Sequence, residues 1–362
     1  ASQLPAFSRT PRMGALISRH VSFVAGVERG GRQLFRFGLF PDQMTPSPLD
    51  RRFVFVTGKG GVGKTTVAAS LARARSGLGQ RVLLAVTDPE AYRELLPGAR
   101  FEPDPSVYDA RLHTVLIEPD AALKEYGRLL IKPRLARQAL FENRYVQGFL
   151  SALPGLPQWA VLGKAWYHTT EQLSGSPRFD VVIFDAPATG HAVEMLRLPR
   201  VITELARASI LRRDAELAWN LLRDPVASAI VLVSLPEELP TNETLELDER
   251  IRELGLAVGV IVQNRMRPLL FGDAEREALA RVPEVDAGVG AALDPRALAL
   301  TAGPAAAAIE AAAAHAIRER AQLASRARLA SVSPTVVELP ELDGALPAAE
   351  LASQLAGVLM RA

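Results

Sequence analysis

The sequence predicts an α/β fold in which helices flank a mostly parallel sheet, and three observations support this. Apolar runs of strand length alternate with longer helix-forming stretches. One run, Phe53 to Val56, is followed by a glycine-rich loop and then by the helix-forming stretch Val67 to Ala72. Another run, Asp180 to Asp185, ends in an acidic residue. A strand, a glycine loop and a helix in this order are typical of the P-loop NTPase fold.

The glycine-rich loop fulfils every position of the phosphate-binding pattern G-x-x-x-x-G-K-[ST]. Its glycines let backbone N–H groups surround phosphate oxygens, and the helix that follows adds its N-terminal dipole. Lys64 is expected to reach the β- and γ-phosphates of ATP, and the Thr65 hydroxyl to bind Mg²⁺. The alternative is a glycine turn with a surface lysine. The expected nucleotide-binding residues are Gly58, Lys59, Gly60, Gly61, Val62, Gly63, Lys64, Thr65 and Thr66.

The composition narrows the class of protein. The chain has 362 residues, 48% of them hydrophobic and 23% charged, which is typical of a soluble globular protein. A formal net charge of +2 gives no general reason to expect nucleic acid or an anionic membrane as a partner. Without cysteine the chain has no disulfide, thiolate zinc site, iron–sulfur cluster or cysteine nucleophile. No apolar run reaches about 18 residues, so no transmembrane helix is expected. We expect a cytoplasmic protein, with peripheral association with a membrane as the alternative.

Residues 1–49 are expected to form an extension that is separate from an ATPase domain over residues 50–362. Prolines interrupt the extension, and its first acidic residue is Glu28, so its beginning weakly resembles an organellar transit peptide. We favour a mobile extension, or an over-extended reading frame whose true start is Met13 or Met44. An alternative is that the apolar stretch 34–40 docks on a partner.

Acidic residues follow two of the predicted strands. Asp88 comes after the run Arg81 to Val86, where it is positioned either to activate the attacking water or to cap the next helix ahead of Pro89. Asp185 ends its strand in the manner of a Walker B motif and is expected to hold Mg²⁺ through water. The small-residue loop that follows is expected to change shape with the γ-phosphate. It contains Ala186, Pro187, Ala188, Thr189, Gly190 and His191.

Helix-forming stretches interrupt and follow these strands. Residues about 120–175 and 199–224 are expected to form a helical insertion, whose aromatic residues pack internally or contact a client. His168 in this insertion is expected to be structural. Further strands are predicted at Ala229 to Ser234, Val258 to Val262 and Thr335 to Leu339. Asn264, just after one of them, either pairs with a base edge or is a turn residue.

These motifs together resemble the ArsA family, which comprises arsenical pump ATPases and ATPases that target tail-anchored membrane proteins. The resemblance begins near Arg51 and runs to the C-terminus. We identify the chain as resembling a bacterial-type member with a single ATPase domain. The matching segments are the deviant Walker A with its second lysine Lys59, the corner Thr87-Asp88-Pro89, Asp185 with Thr189-Gly190-His191, Leu196-Arg197-Leu198-Pro199, Ala152 to Leu156, and Leu235 to Thr244.

The resemblance implies several roles. Lys59 would reach across a dimer interface to the partner's nucleotide, and Asp88 would activate water as part of switch I. Residues from Asp185 to His191 would form switch II. Asn264, Pro340 and Leu342 would border the adenine. The partner subunit would be a second copy of this chain or a paralogous ATPase.

The chain also departs from the family pattern. Asp88-Pro89 is followed by Glu90-Ala91 where the family has Ala-His, and Ala186-Pro187-Ala188 alters the middle of switch II. Neither the Cys-x-x-Cys zinc clasp of the targeting ATPases nor the arsenite-binding cysteines of the pumps is present. Coupling between nucleotide and client is therefore expected to differ.

The sequence predicts an ATP-hydrolysing, nucleotide-gated dimer that captures or releases a client, expected to be a protein, including a membrane protein. Three alternatives remain: an arsenite or anion pump ATPase subunit, a weakly hydrolysing regulatory half of a heterodimer, and a ParA/MinD-like positioning ATPase. The last of these would need the arginine-bearing helix near Arg318 to Arg328 as an anchor. No direct contact with nucleic acid is expected.

Overall fold

The structure is a computed structural model that describes residues 49–130, 155–206, 210–280, 304–333, 335–342 and 346–359. All of these residues belong to the second of the two units into which the chain divides, residues 45–362. The expectations for residues 1–48, for part of the helical insertion and for residues 281–303 fall outside the described ranges.

The strands match the predicted apolar runs closely. They are β1 (Phe53–Gly58), β2 (Val82–Val86), β3 (Ser106–Val107), β4 (Leu112–Leu116), β5 (Gln172–Leu173), β6 (Ser176–Pro177), β7 (Val181–Asp185), β8 (Ser228–Ser234), β9 (Val258–Met266) and β10 (Val336–Pro340). Eight of them form one sheet in the order β10, β9, β8, β1, β7, β2, β4, β3. Every neighbouring pair is parallel except β3 with β4. The predicted mostly parallel α/β fold is confirmed.

Nine α-helices lie in the described ranges. They are α1 (Lys64–Gly77), α2 (Pro119–Leu130), α3 (Leu156–Thr170), α4 (Thr189–Leu205), α5 (Ile210–Arg223), α6 (Glu238–Glu253), α7 (Asp273–Ala280), α8 (Pro304–Val332) and α9 (Ala348–Leu359). A single 3₁₀ turn, Glu90–Tyr92, follows β2. The expectation that Asn264 is a turn residue is wrong, because β9 continues through it to Met266.

The sheet is buried on both faces, which explains why its central strands are continuous apolar runs. Successive side chains of β1 alternate between the faces. Val54 and Val56 lie in the core beneath α1 and α9, whereas Phe53 and Phe55 lie in the core beneath α3, α4 and α6. This packing fixes the carboxyl ends of β1, β2 and β7 side by side at one edge of the sheet, where an α/β fold binds its ligands.

The described part of the helical insertion packs on the second face of the sheet. Trp159 of α3 is fully buried against α5, and Tyr126 of α2 meets its ring edge-on at 6.1 Å between centroids. Packing is therefore the role of Trp159, whereas Tyr167 on the same helix remains about half exposed. Within the described ranges, no helix has the length and apolarity needed to cross a membrane.

Candidate active site

Two glycines of the predicted phosphate-binding segment, one at the end of β1 and one just before α1, have no room for a side chain. Gly58 has φ +151°, and a Cβ there would collide with the backbone oxygen of Val233 on the neighbouring strand. Gly63 has φ +92°, and a Cβ would collide with the side-chain amide of Asn264. Both positions combine a backbone conformation that L-residues avoid with a close approach, so only glycine fits them. The loop path is thus fixed by its tertiary neighbours.

The loop leads directly into α1, which begins at Lys64. Gly63 is the N-cap, it makes no side-chain capping bond, and the first turn carries no acidic residue. The N–H groups and the positive end of the helix dipole therefore face the loop without a competing carboxylate on α1 itself. Gly60 and Gly61 have open space around them and complete the exposed rim of the loop. Free N–H groups and the positive end of a helix dipole at an open rim are suited to binding a chain of phosphate groups.

The two lysines of the loop lie in different environments. The Lys64 ammonium donates to the backbone oxygen of Lys59 at 2.8 Å. Burial lowers the pKa of Lys64, and the charge of Asp185 acts in the opposite direction. The Lys59 side chain is 41% exposed and forms an ion pair with Glu243 on α6. Lys64 therefore stays inside the loop, while Lys59 leaves it.

Asp185 lies at the end of β7, beside the start of α1. Its Oδ2 accepts hydrogen bonds from the Thr65 hydroxyl at 3.0 Å and from the Tyr92 hydroxyl at 2.8 Å. Burial raises the pKa of Asp185, and the charge of Asp88 raises it further. The hydrogen bonds from Tyr92 and Thr65 and the charge of Lys64 act in the opposite direction and lower this pKa. Its Oδ1 is buried without a partner among the described residues.

These groups fit a hydrated divalent cation. A threonine hydroxyl has one proton and two lone pairs, so Thr65 can donate to Asp185 and still offer oxygen to a metal. The unpartnered Oδ1 of Asp185 is a carboxylate acceptor of the kind that Mg²⁺-bound water requires. The residues present are therefore suited to Mg²⁺.

Asp88 lies just beyond β2, exposed to solvent. Its Oδ1 accepts the backbone N–H of Glu90, two residues on, at 3.1 Å. Pro89, and not Asp88, is the N-cap of the 3₁₀ turn Glu90–Tyr92, so the structure does not bear out Asp88 as a helix cap. Among the described residues, the second carboxylate oxygen of Asp88 has no hydrogen-bond partner. The charge of Asp88 also contributes to the raised pKa values of Asp185 and Tyr92, so the three side chains interact electrostatically.

The expected switch II residues connect the loop to the helical layer. The Thr57 hydroxyl of β1 donates to the backbone oxygen of Pro187 at 3.1 Å, and Ala186 is buried in the core. Helix α4 begins at Thr189, and the backbone N–H of His191 bonds to the Ala188 oxygen. Gly190 and the His191 side chain are exposed at this end of the helix.

A cleft of about 530 Å³ adjoins the helix end of the loop. Asn264, Pro340 and Leu342, which the resemblance assigns to the adenine, all line it together with Gly63 and Thr66. The Asn264 amide donates to the backbone oxygen of Val62 at 3.0 Å, so its nitrogen also holds the loop in place. The structure therefore brings together residues separated by some 200 positions, since Val62 and Asn264 are 202 apart.

Two residues of this region were missed by the sequence interpretation. Tyr92 is fully buried, and its hydroxyl donates a hydrogen bond to Asp185. Burial and the charge of Asp185 raise the pKa of Tyr92, so its hydroxyl keeps the proton that it donates. Glu243 holds Lys59 through one carboxylate oxygen, and its other oxygen is buried without a partner among the described residues. Glu243 lies within Leu235 to Thr244, one of the segments that resemble the family, and this resemblance could have indicated it. Tyr92 had no comparable signal.

The parallel sheet, the glycine loop at the N-terminus of α1, and Asp185 beside Thr65 define a P-loop nucleotide-binding ATPase. The comparisons with known proteins place it more narrowly. The family model described as anion-transporting ATPase, the ArsA ATPase model, matches residues 51–215. The chain belongs to the ArsA family of ATPases, so the predicted ATP hydrolysis and nucleotide binding are confirmed at the level of the family.

Relatives of three kinds match the chain over similar lengths. ATPase BagA of Mycobacterium tuberculosis is 30% identical over 244 residues, which cover 65% of this chain and 71% of that protein. ATPase GET3 of Kluyveromyces lactis is 27% identical over 61% of this chain and 73% of its own length. The arsenical pump-driving ATPase of Acidiphilium multivorum is 29% identical over 63% of this chain but only 41% of its own length.

Proposed function

We propose that this ATPase closes as a nucleotide-gated dimer and that closure controls the capture or release of a client protein. The observation that carries the proposal is the position of Lys59. Lys64 stays within its own loop, whereas Lys59 leaves it and is 41% exposed. A partly exposed ammonium at the rim of a phosphate site is suited to the phosphates of a facing subunit. The partner subunit is a second copy of this chain or a paralogous ATPase.

Each nearby side chain has a role in the proposed hydrolysis. Gly58 to Thr66 bind the phosphates, and Thr65 and Asp185 hold Mg²⁺, Asp185 through water. When bound, Mg²⁺ neutralises charge on the phosphate oxygens. Asp88 orients and activates the attacking water, whose oxygen displaces ADP from the γ-phosphorus. Lys59 of the facing subunit stabilises the charge on the transferring group.

The proposed coupling to a client runs through switch II. Pro187 is joined to β1 by Thr57, and α4 begins two residues later. Helix α4 packs on both α3 and α5 of the helical layer. A change in the loop from Ala186 to His191 would therefore also move the helices that pack against α4. Loss of the γ-phosphate supplies the differential contact that such a change requires.

Substituting Lys64→Ala tests the catalytic part of the proposal. We expect loss of ATP hydrolysis, by about 100-fold or more, because the phosphates lose a half-buried cation. Lys164→Ala is the matched control, since Lys164 lies on α3 and pairs with Glu125 away from the loop. Phosphate release by the purified full chain is the measurement. Hydrolysis by Lys64→Ala at the wild-type rate would refute the assigned site.

Light scattering tests the dimer. The molar mass is compared without nucleotide and with Mg-ATP, on an Asp88→Asn variant that slows hydrolysis. A mass that doubles with ATP supports a self-sufficient homodimer. A chain that stays monomeric contradicts the homodimer and directs the search to a paralogous partner, including the regulatory half of a heterodimer.

Anion-driven pumping is the second candidate, because an arsenical pump-driving ATPase is among the relatives. The chain contains no cysteine, so an anion would have to be bound by other side chains. Stimulation of ATP hydrolysis by arsenite or antimonite would favour this candidate. Unchanged turnover across a metalloid titration would reject it.

A further inference from the structure

We propose that Tyr92 is a positioning residue for the Mg²⁺ site, holding the Asp185 carboxylate so that one oxygen is directed to the metal's water shell. The inference deepens the proposed function, because it rests on Asp185 serving the Mg²⁺ site. Its starting observation is the 2.8 Å hydrogen bond from the Tyr92 hydroxyl to Asp185 Oδ2.

The position of the Tyr92 ring is fixed by its surroundings. The residue is fully buried, and its ring lies 5.5 Å from that of Phe101 between centroids. Its backbone N–H bonds to Pro89, and its backbone oxygen accepts from Leu96 at 2.9 Å. With the backbone and the ring both held, the hydroxyl has little freedom to leave Asp185.

The two oxygens of Asp185 are used unequally. Oδ2 accepts both hydrogen bonds, from Tyr92 and from Thr65, whereas Oδ1 is buried without a partner among the described residues. Two donors on one oxygen prevent rotation of the carboxylate about its last bond. The free oxygen is therefore held in one direction before any ligand binds, which is how residues outside the metal's own shell raise its affinity.

Tyr92 also joins two parts of the site that are 93 positions apart in the chain. It ends the 3₁₀ turn that follows Asp88, so it belongs to the segment carrying the water-activating acid. Asp185 belongs to β7 and begins switch II. A single hydrogen bond thus ties the position of the metal carboxylate to the segment that holds Asp88. A tyrosine that served packing alone would not need its hydroxyl at this carboxylate.

The test is Tyr92→Phe, which removes the hydroxyl and retains the ring. Binding of a fluorescent ADP analogue to the full chain is titrated with Mg²⁺ and repeated in EDTA. We expect the Mg²⁺ concentration at half-maximal effect to rise about tenfold, with affinity in EDTA unchanged. Tyr126→Phe is the matched control, since it also removes a tyrosine–aspartate contact, to Asp214, in the helical layer.

The outcomes distinguish a failure of the role given to Tyr92 from a failure of the proposed Mg²⁺ site. Equal Mg²⁺ dependence in Tyr92→Phe and wild type, or an equal shift in Tyr126→Phe, would overturn the role of Tyr92 alone. A wild-type protein that binds the nucleotide without any Mg²⁺ dependence would overturn the metal site of the proposed function as well. Thermal unfolding of each variant identifies a loss of folded protein.

A double-variant comparison keeps the inference testable even if Tyr92→Phe is unstable. Asp185→Asn removes the buried charge that Tyr92 stabilises, so the double variant has no carboxylate left to lose its donor. If Tyr92 acts through Asp185, adding Tyr92→Phe to Asp185→Asn should change the Mg²⁺ concentration at half-maximal effect less than about twofold. A further tenfold rise on that background would overturn the inference.

Discussion

The ion pair between Lys59 and Glu243 predicts that the free subunit restrains its own dimerisation. If Lys59 must reach the facing nucleotide, it has to leave Glu243 first. Glu243→Gln removes the charge on α6 but retains the size of the side chain and an oxygen acceptor. We therefore expect this variant to form the ATP-bound dimer more readily than the wild type.

The exposure of the pair sets the size of the effect. The Lys59 and Glu243 side chains are 41% and 26% exposed, so solvent screens much of their attraction. Partly exposed pairs of this kind contribute about 0.5–1 kcal/mol. Two lysines are released in each symmetric dimer, which gives about 1–2 kcal/mol in total. The dimer constant should therefore tighten about 5- to 30-fold.

The assay is the concentration dependence of molar mass by light scattering with Mg-ATP, on the Asp88→Asn background. Glu246→Gln is the matched control, because it removes the same charge from an exposed position of the same helix. The gain should also shrink at raised salt, as screening already weakens the pair in the free subunit.

An unchanged dimer constant in Glu243→Gln would show that Lys59 does not have to leave Glu243. A weaker dimer would show that Glu243 acts within the closed state. Either result refutes the reasoning, and an equal gain in Glu246→Gln would reduce the effect to the net charge of α6.

Two further predictions follow from the loop and the helical layer. Gly63→Ala should weaken nucleotide binding at least about tenfold in a nucleotide titration, because it adds backbone strain and a collision with Asn264. Gly79→Ala is the control, since Gly79 has φ +87° but open space around it. This control variant should lose stability but bind nucleotide normally. Burial lowers the pKa of His168 against the opposing effect of its bond to Glu171, so the folded state resists a proton that the unfolded state binds near about pH 6.5. His168 should therefore make stability fall as pH falls below that value, by at most about 1.4 kcal/mol per pH unit. In urea unfolding the dependence should be weaker in His168→Gln than in the wild type, and the remainder should include His113, whose pKa burial also lowers.

Much of the fold could be predicted because its signals are local. Phe53 to Val56 and Val181 to Phe184 are continuous apolar runs, as a sheet buried on both faces requires. The order of βα units then limits the sheet to mostly parallel pairings. The interpretation failed at Asn264, where polar residues were taken to mark the end of a strand that in fact continues to Met266.

The residues of the candidate site likewise include some that local sequence signals could predict and others that they could not. Gly58 to Thr66 could be predicted to bind phosphates because a loop of this kind is one continuous segment whose residue types follow from its chemistry. Asp88 and Asp185 could be proposed from their positions at strand ends. The partners that set their environment could not be proposed, because those partners come from other segments.

The sequence by itself determined the class of fold, and it predicted the phosphate-binding loop and the acidic residues at the strand ends. The tertiary structure alone decided which side chains meet there: Tyr92 with Asp185, 93 positions apart, and Lys59 with Glu243, 184 positions apart. Such contacts depend on the order and register of β1, β2, β7 and β8, and on the helices packed beside them. A local pattern specifies which residues are buried, but long-range packing of the whole sheet specifies the residues they are buried against.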